Sequence, residues 1–146
     1  MTLRANKASN LRKALKAVAE RYNIVALYVF GSRALEITAQ VRGEPSPSCA
    51  SGTDVDIGVQ LLSGKNLSVR EKVRCAMELE DVLGVSRVDL LAISDVNPFL
   101  ALDIIRGELL YCHDFDEQSE YELHVLRRAA DLTYYQGESI RRILSE

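Results

Sequence analysis

Three aspartates in this sequence stand where a divalent cation could be held. Asp54 and Asp56 lie two residues apart in a segment that alternates strictly. Val55, Ile57, Val59 and Leu61 point one way, and Asp54, Asp56, Gly58 and Gln60 the other. Such a period of two is that of a β-strand. The two aspartate Cα atoms are then roughly 6.6–6.8 Å apart, with both carboxyl groups on one face. Asp89 is the only acidic residue of a second extended segment, Arg87–Ile93. If the two strands are neighbours in suitable register, three carboxylates meet.

Like charges gathered this way repel. At an effective dielectric of 20 and ~5 Å, each pair costs about 3 kcal/mol. A raised pKa or a bound cation relieves the repulsion. Hard oxygen donors favour Mg²⁺, which leans on substrate phosphates as well as protein carboxylates. Two such ions ~3.5–4 Å apart stabilise both the attacking and the leaving oxygen of an in-line phosphoryl displacement. A D-x-D pair alone is also compatible with the solvated face of an edge strand.

A second element adds weight. Ile24–Phe30 (IVALYVF) is apolar throughout, as in a strand buried on both faces, and Gly31-Ser32 follows it directly. Glycine lets a backbone approach a phosphate closely, and N–H groups at a helix start with a serine hydroxyl bind phosphate oxygens. The pattern is not G-x-x-x-x-G-K-[ST], so a P-loop is excluded. Arg33 comes next and is a candidate for the same phosphates. Arg70, Lys72 and Arg74, on a later helix, are weaker candidates than a charged outer face.

The remaining elements follow from periodicity. Residues 8–22 read as a helix with Ser9 as N-cap, and residues 33–42 as a second. Gly43–Gly52 is a Gly/Pro/Ser-rich loop. Ser68–Leu83 reads as a helix with Ser68 and Glu71 as a capping box and Gly84 as its stop. Its predicted inner stripe is Val69, Val73, Ala76, Met77, Glu80 and Leu83. Pro98–Arg106 is a helix, Leu109–Cys112 a strand, and 116–144 a long final helix. On that helix Tyr121, Val125, Ala129, Leu132, Gln136, Ile140 and Ile143 form one stripe. Leu123, Leu126, Tyr134 and Tyr135 fall partly outside it, which suggests a protein interface and possible homo- or hetero-oligomers. The order gives a mixed α/β (α+β) fold, a sheet of about four strands covered by helices.

Composition sets outer limits. A chain of 146 residues suits one domain, 1–146, with a core over about 8–112. A net charge of −3 offers no global field for nucleic acid, so direct nucleic-acid binding is not expected. No run nears ~18 apolar residues, so no membrane span is expected. Cys49, Cys75 and Cys112 are odd in number and widely spaced, which fits a reducing cytoplasm rather than a disulfide framework.

A buried strand ending in Gly-Ser, then D-x-D in strict alternation, then an isolated strand Asp: this combination resembles the DNA polymerase β-like nucleotidyltransferases. In extent it is most similar to the minimal nucleotidyltransferases, the MntA-type antitoxins of HEPN/MNT toxin–antitoxin pairs. The resemblance implies that Gly31 and Ser32 hold a nucleoside triphosphate. It implies that Asp54 and Asp56 ligate two Mg²⁺ ions, and that Asp89 ligates one of them and helps activate an acceptor hydroxyl. It further implies transfer of AMP from ATP to a HEPN-type toxin protein, most simply to a tyrosine. The alternatives are an antitoxin that only occludes its toxin, and an adenylyltransferase for a small molecule. The chain departs from the family in the loop 43–52, which makes the interval before Asp54 about ten residues longer; loop length costs little entropy.

Overall fold

The computed structural model describes residues 3–45 and 54–145. Cys49 and most of the 43–52 loop lie outside the described residues.

Four strands form the sheet: β1 (Ile24–Phe30), β2 (Val55–Leu61), β3 (Val88–Ala92) and β4 (Glu108–Cys112). Their order is β3-β2-β1-β4. The β1 strand runs antiparallel to both β2 and β4, while β2 and β3 are parallel. The sheet is mixed, and β1, apolar at every position, lies inside it with six of its seven residues buried. The helix α1 (Leu3–Arg21) precedes β1, α2 (Ala34–Arg42), α3 (Val69–Leu83) and α4 (Pro98–Ile105) connect the strands in turn, and α5 (Phe115–Ser145) follows β4. A short 3₁₀ turn, Ile93–Asp95, follows β3.

Each face of the sheet has its own core. One is built from Leu15, Val18, Leu27, Val29, Ile57 and Leu79 among others, under α1, α2 and α3. The other gathers Ala26, Tyr28, Ile93, Ala101, Ile104 and Val125 under α4 and α5. Each fully buried aliphatic side chain contributes roughly 1.5–3 kcal/mol relative to exposure. A polar clasp joins α5 to the sheet: the Tyr28 hydroxyl donates to Glu122 Oε1 at 2.8 Å and accepts from Gln118 Nε2 at 2.8 Å. Burial pushes the Tyr28 phenol up, so it stays a protonated donor.

Several expectations need correction. Ser9 is no cap, because α1 begins six residues earlier, at Leu3. The predicted stripe on α3 holds only at Ala76 and Leu83, which pack on the core; its other apolar members are out of phase. Cys75, Leu79 and Leu83 face the core, whereas Val69, Val73 and Met77 are exposed. Two four-residue progressions compete on this helix, and the one closing on the sheet wins. The capping box is present as expected, with Ser68 Oγ accepting from Glu71 N and Glu71 Oε1 accepting from Ser68 N. On α5, Val125 and Ala129 are buried, but Ile143 is exposed, because the helix outruns the sheet.

The polar face of β2 is open only at its start. Asp54 and Asp56 are partly exposed, while Gly58 and Gln60 are buried. The cause is α4: a Cβ on Gly58 would lie 2.3 Å from Ile104 Cγ2. A missing side chain lets the helix close over the strand two residues past Asp56.

Candidate active site

Register brings the aspartates to one edge. Phe30 is opposite Asp56 on one side, and Asp89 is opposite Asp56 on the other. The end of β1 therefore meets the beginnings of β2 and β3. Val55 N donates to the Arg87 carbonyl at 3.0 Å, which fixes where the two parallel strands start. Burial raises the Asp56 carboxyl above its ordinary range, and the charges of Asp89 and then Asp54 add to the effect. These are the expected marks of a crowded acidic site.

The Gly31-Ser32 turn passes the same edge. Gly31 has φ 79°, the left-handed region that favours glycine. A Cβ there would lie 2.5 Å from Asp56 Oδ2, so the turn and the carboxylate touch only because the side chain is missing. Gly31 and Ser32 are both exposed. Ala34 N donates to the Gly31 carbonyl at 3.3 Å as the chain enters α2.

Arg33 is placed differently from Ser32. Its Nε donates to Glu36 Oε2 at 3.0 Å and its Nη2 to Glu36 Oε1 at 2.8 Å, with both side chains largely buried. This two-pronged pair anchors the first turn of α2. Lys72 pairs with Asp95 at 3.1 Å, beyond the far end of β3. The helix α3 starts after β2 has ended, so Arg70 and Lys72 in its first turn sit at the opposite end of the sheet from the aspartates. Topology, not charge, removes them as phosphate ligands.

Sequence reading missed Arg87. Its Nε lies 3.6 Å from Asp54 Oδ2 and 4.0 Å from Asp89 Oδ1. The R-x-D spacing puts it on the same face of the strand edge as Asp89, a signal that period two makes readable. Among the described residues, no group of three His, Cys, Asp or Glu stands close enough to hold a metal ion as it is. The donor chemistry still fits one. Three oxygen ligands share an edge, one is already crowded, and a glycine turn leaves it uncovered.

A family model for polymerase beta, nucleotidyltransferase, matches residues 13–116. The chain belongs to this nucleotidyltransferase family. The match covers all four strands and both candidate motifs.

Solved structures agree on the fold of this nucleotidyltransferase. A toxin–antitoxin structure with AMP-PNP contains a chain of TM-score 0.65 at 15% identity, covering 91% of this chain and 98% of that one. An MntA-HepT toxin–antitoxin chain gives 0.63 at 13%, covering 93% and 98%. A chain from the tri-AMPylated Shewanella oneidensis HEPN toxin in complex with MNT antitoxin gives 0.62 at 14%, covering 94% and 98%. At such identities the likeness is one of fold. No curated protein sequence matches the chain. Among the described residues, no helix is long and apolar enough to cross a membrane.

Proposed function

We propose that this nucleotidyltransferase moves AMP from ATP onto a hydroxyl of a partner protein, most simply a tyrosine of a HEPN-type toxin, and so acts as a cytoplasmic antitoxin. One observation carries the reading: Asp54, Asp56 and Asp89 share one sheet edge with the exposed Gly31-Ser32 turn.

Asp54 and Asp56 would hold Mg²⁺, and Asp89 would complete the ion nearest the acceptor. Bound Mg²⁺ supplies charge neutralisation on the phosphates and on the developing oxyanions. Gly31 N–H and the Ser32 hydroxyl orient the triphosphate tail. Arg33 holds this turn through its pair with Glu36. The acceptor oxygen bonds to the α-phosphorus as the bond from that phosphorus to the pyrophosphate oxygen breaks, and pyrophosphate leaves. Asp89 takes the acceptor proton and passes it to solvent.

The protein partner is supported by what the fold leaves uncovered. On α5, Leu123, Leu126, Tyr134 and Tyr135 are all exposed. The solved relatives named above are toxin–antitoxin structures, one with a tri-AMPylated toxin. An added phosphodiester carries about one negative charge, which opposes binding of anionic RNA by a ribonuclease.

The test is co-expression with the toxin and intact-mass measurement. A gain of one adenylyl mass per modified residue is expected with the wild-type chain and none with Asp54→Asn/Asp56→Asn. Full neutralisation by the double variant without any mass gain would establish occlusion instead.

A further inference from the structure

We infer that Arg87 is the internal counterion of the carboxylate edge, a cation supplied by the chain that a divalent ion must displace. The inference rests on the reading of Asp54, Asp56 and Asp89 as metal ligands.

Arg87 stands one residue before β3, and its two halves are held very differently. Its carbonyl accepts from Val55 N at 3.0 Å, so its backbone is pinned between the starting points of β2 and β3. Its side chain is 69% exposed and lies over the aspartates without close packing. The 3.6 and 4.0 Å separations are longer than the 2.7–3.2 Å of an N–H···O hydrogen bond. Arg87 is therefore held over Asp54 and Asp89 mainly by attraction. It can swing away by side-chain rotation alone, with the strands unchanged.

A guanidinium at this distance and a metal ion compete for the same oxygens. Mg²⁺ bonds its ligands at about 2.0–2.1 Å and carries twice the charge, so it wins when present. While Arg87 remains over the site it opposes the incoming ion in two ways: it satisfies two carboxylates, and it repels a second cation. The chain thus keeps its acidic edge partly neutralised before loading and gives up some metal affinity in return.

Three forms of the full chain are compared by Mn²⁺ titration, reading free Mn²⁺ by electron paramagnetic resonance: wild type, Arg87→Gln and Arg141→Gln. The last removes an equal charge from the far part of α5, where Arg141 pairs with nearby Glu138. Arg87→Gln should tighten Mn²⁺ binding by about two- to fivefold, the scale of lost exposed ion pairs. Arg141→Gln should leave it unchanged. Unchanged or weaker binding by Arg87→Gln overturns the inference, as does equal tightening by both variants. Absence of Mn²⁺ binding in all three would overturn the metal-site reading beneath it. Circular dichroism on each variant confirms that the comparison is between folded chains.

Discussion

Asp56 occupies the space that a side chain at Gly31 would need. Its Oδ2 lies 2.5 Å from the position of a Gly31 Cβ, closer than real Cβ contacts come. The glycine at the end of β1 and the second aspartate of β2 are therefore fitted to each other across the strand pair. One supplies a gap and a left-handed turn, and the other fills the gap with charge.

Gly31→Ala should damage the protein twice. A left-handed φ costs a non-glycine residue roughly 1–2 kcal/mol, before any clash. The methyl group must then push the Asp56 carboxylate aside. We expect a lower unfolding midpoint and at least a tenfold fall in transfer, since a 1 Å misplacement of a reacting group can cost more than that. An alanine variant with wild-type midpoint and rate would show that the contact is not needed.

Asp56→Asn should stabilise the metal-free protein near neutral pH. The folded state raises the Asp56 pKa, chiefly by burial and then by Asp89 and Asp54. The native form thus binds more protons than the unfolded one in the window above the ordinary carboxylate range, and stability falls as pH rises through it. Asparagine removes that loss. The gain should not exceed about 1 kcal/mol, because solvent reaches the site. It should narrow as pH falls through the unfolded carboxyl value of about 3.9, below which the aspartate is protonated in both states. Thermal unfolding in chelator across pH is the measurement. A neutral-pH midpoint below wild type would contradict it.

Asp89→Asn should separate binding from chemistry. In the proposed arrangement Asp54 and Asp56 hold both ions, whereas Asp89 completes one. Calorimetry with Mg²⁺ and a non-hydrolysable ATP analogue should find Asp89→Asn retaining more affinity than Asp56→Asn. Its loss should fall on kcat rather than KM. Equal loss of binding in the two variants would reject this division of roles.

Much of the sheet was legible because its signals are local. Strict alternation marks β2, and seven apolar residues mark β1 as buried on both faces. The same period placed Asp54 and Asp56 on one side. What could not be read depends on partners distant in sequence. The Tyr28 clasp to Gln118 and Glu122 spans 90 and 94 residues. Arg87 meets Asp54 only because β3 lies parallel beside β2, which element order alone leaves open. The first turns of α3 were misread because Val69, Val73 and Met77 compete as a stripe with Cys75 and Leu79, and only the sheet decides between them; Leu83 was read correctly. Arg33 looked available in sequence, but Glu36 one helical turn on claims its guanidinium.

The closed end of β2 bears on how the chain avoids misfolding. Gly58 lies beneath Ile104, two positions past Asp56 on the same face. A slip of β2 by two residues would keep every apolar side chain facing its own core, so hydrophobicity alone scarcely opposes the error. It would, however, drive the Asp56 carboxylate into the space under Ile104, where an unpaired charge is very costly. Charge thus favours the native alignment where hydrophobicity is indifferent: Asp56 is partly exposed there, and the slipped strand would bury it.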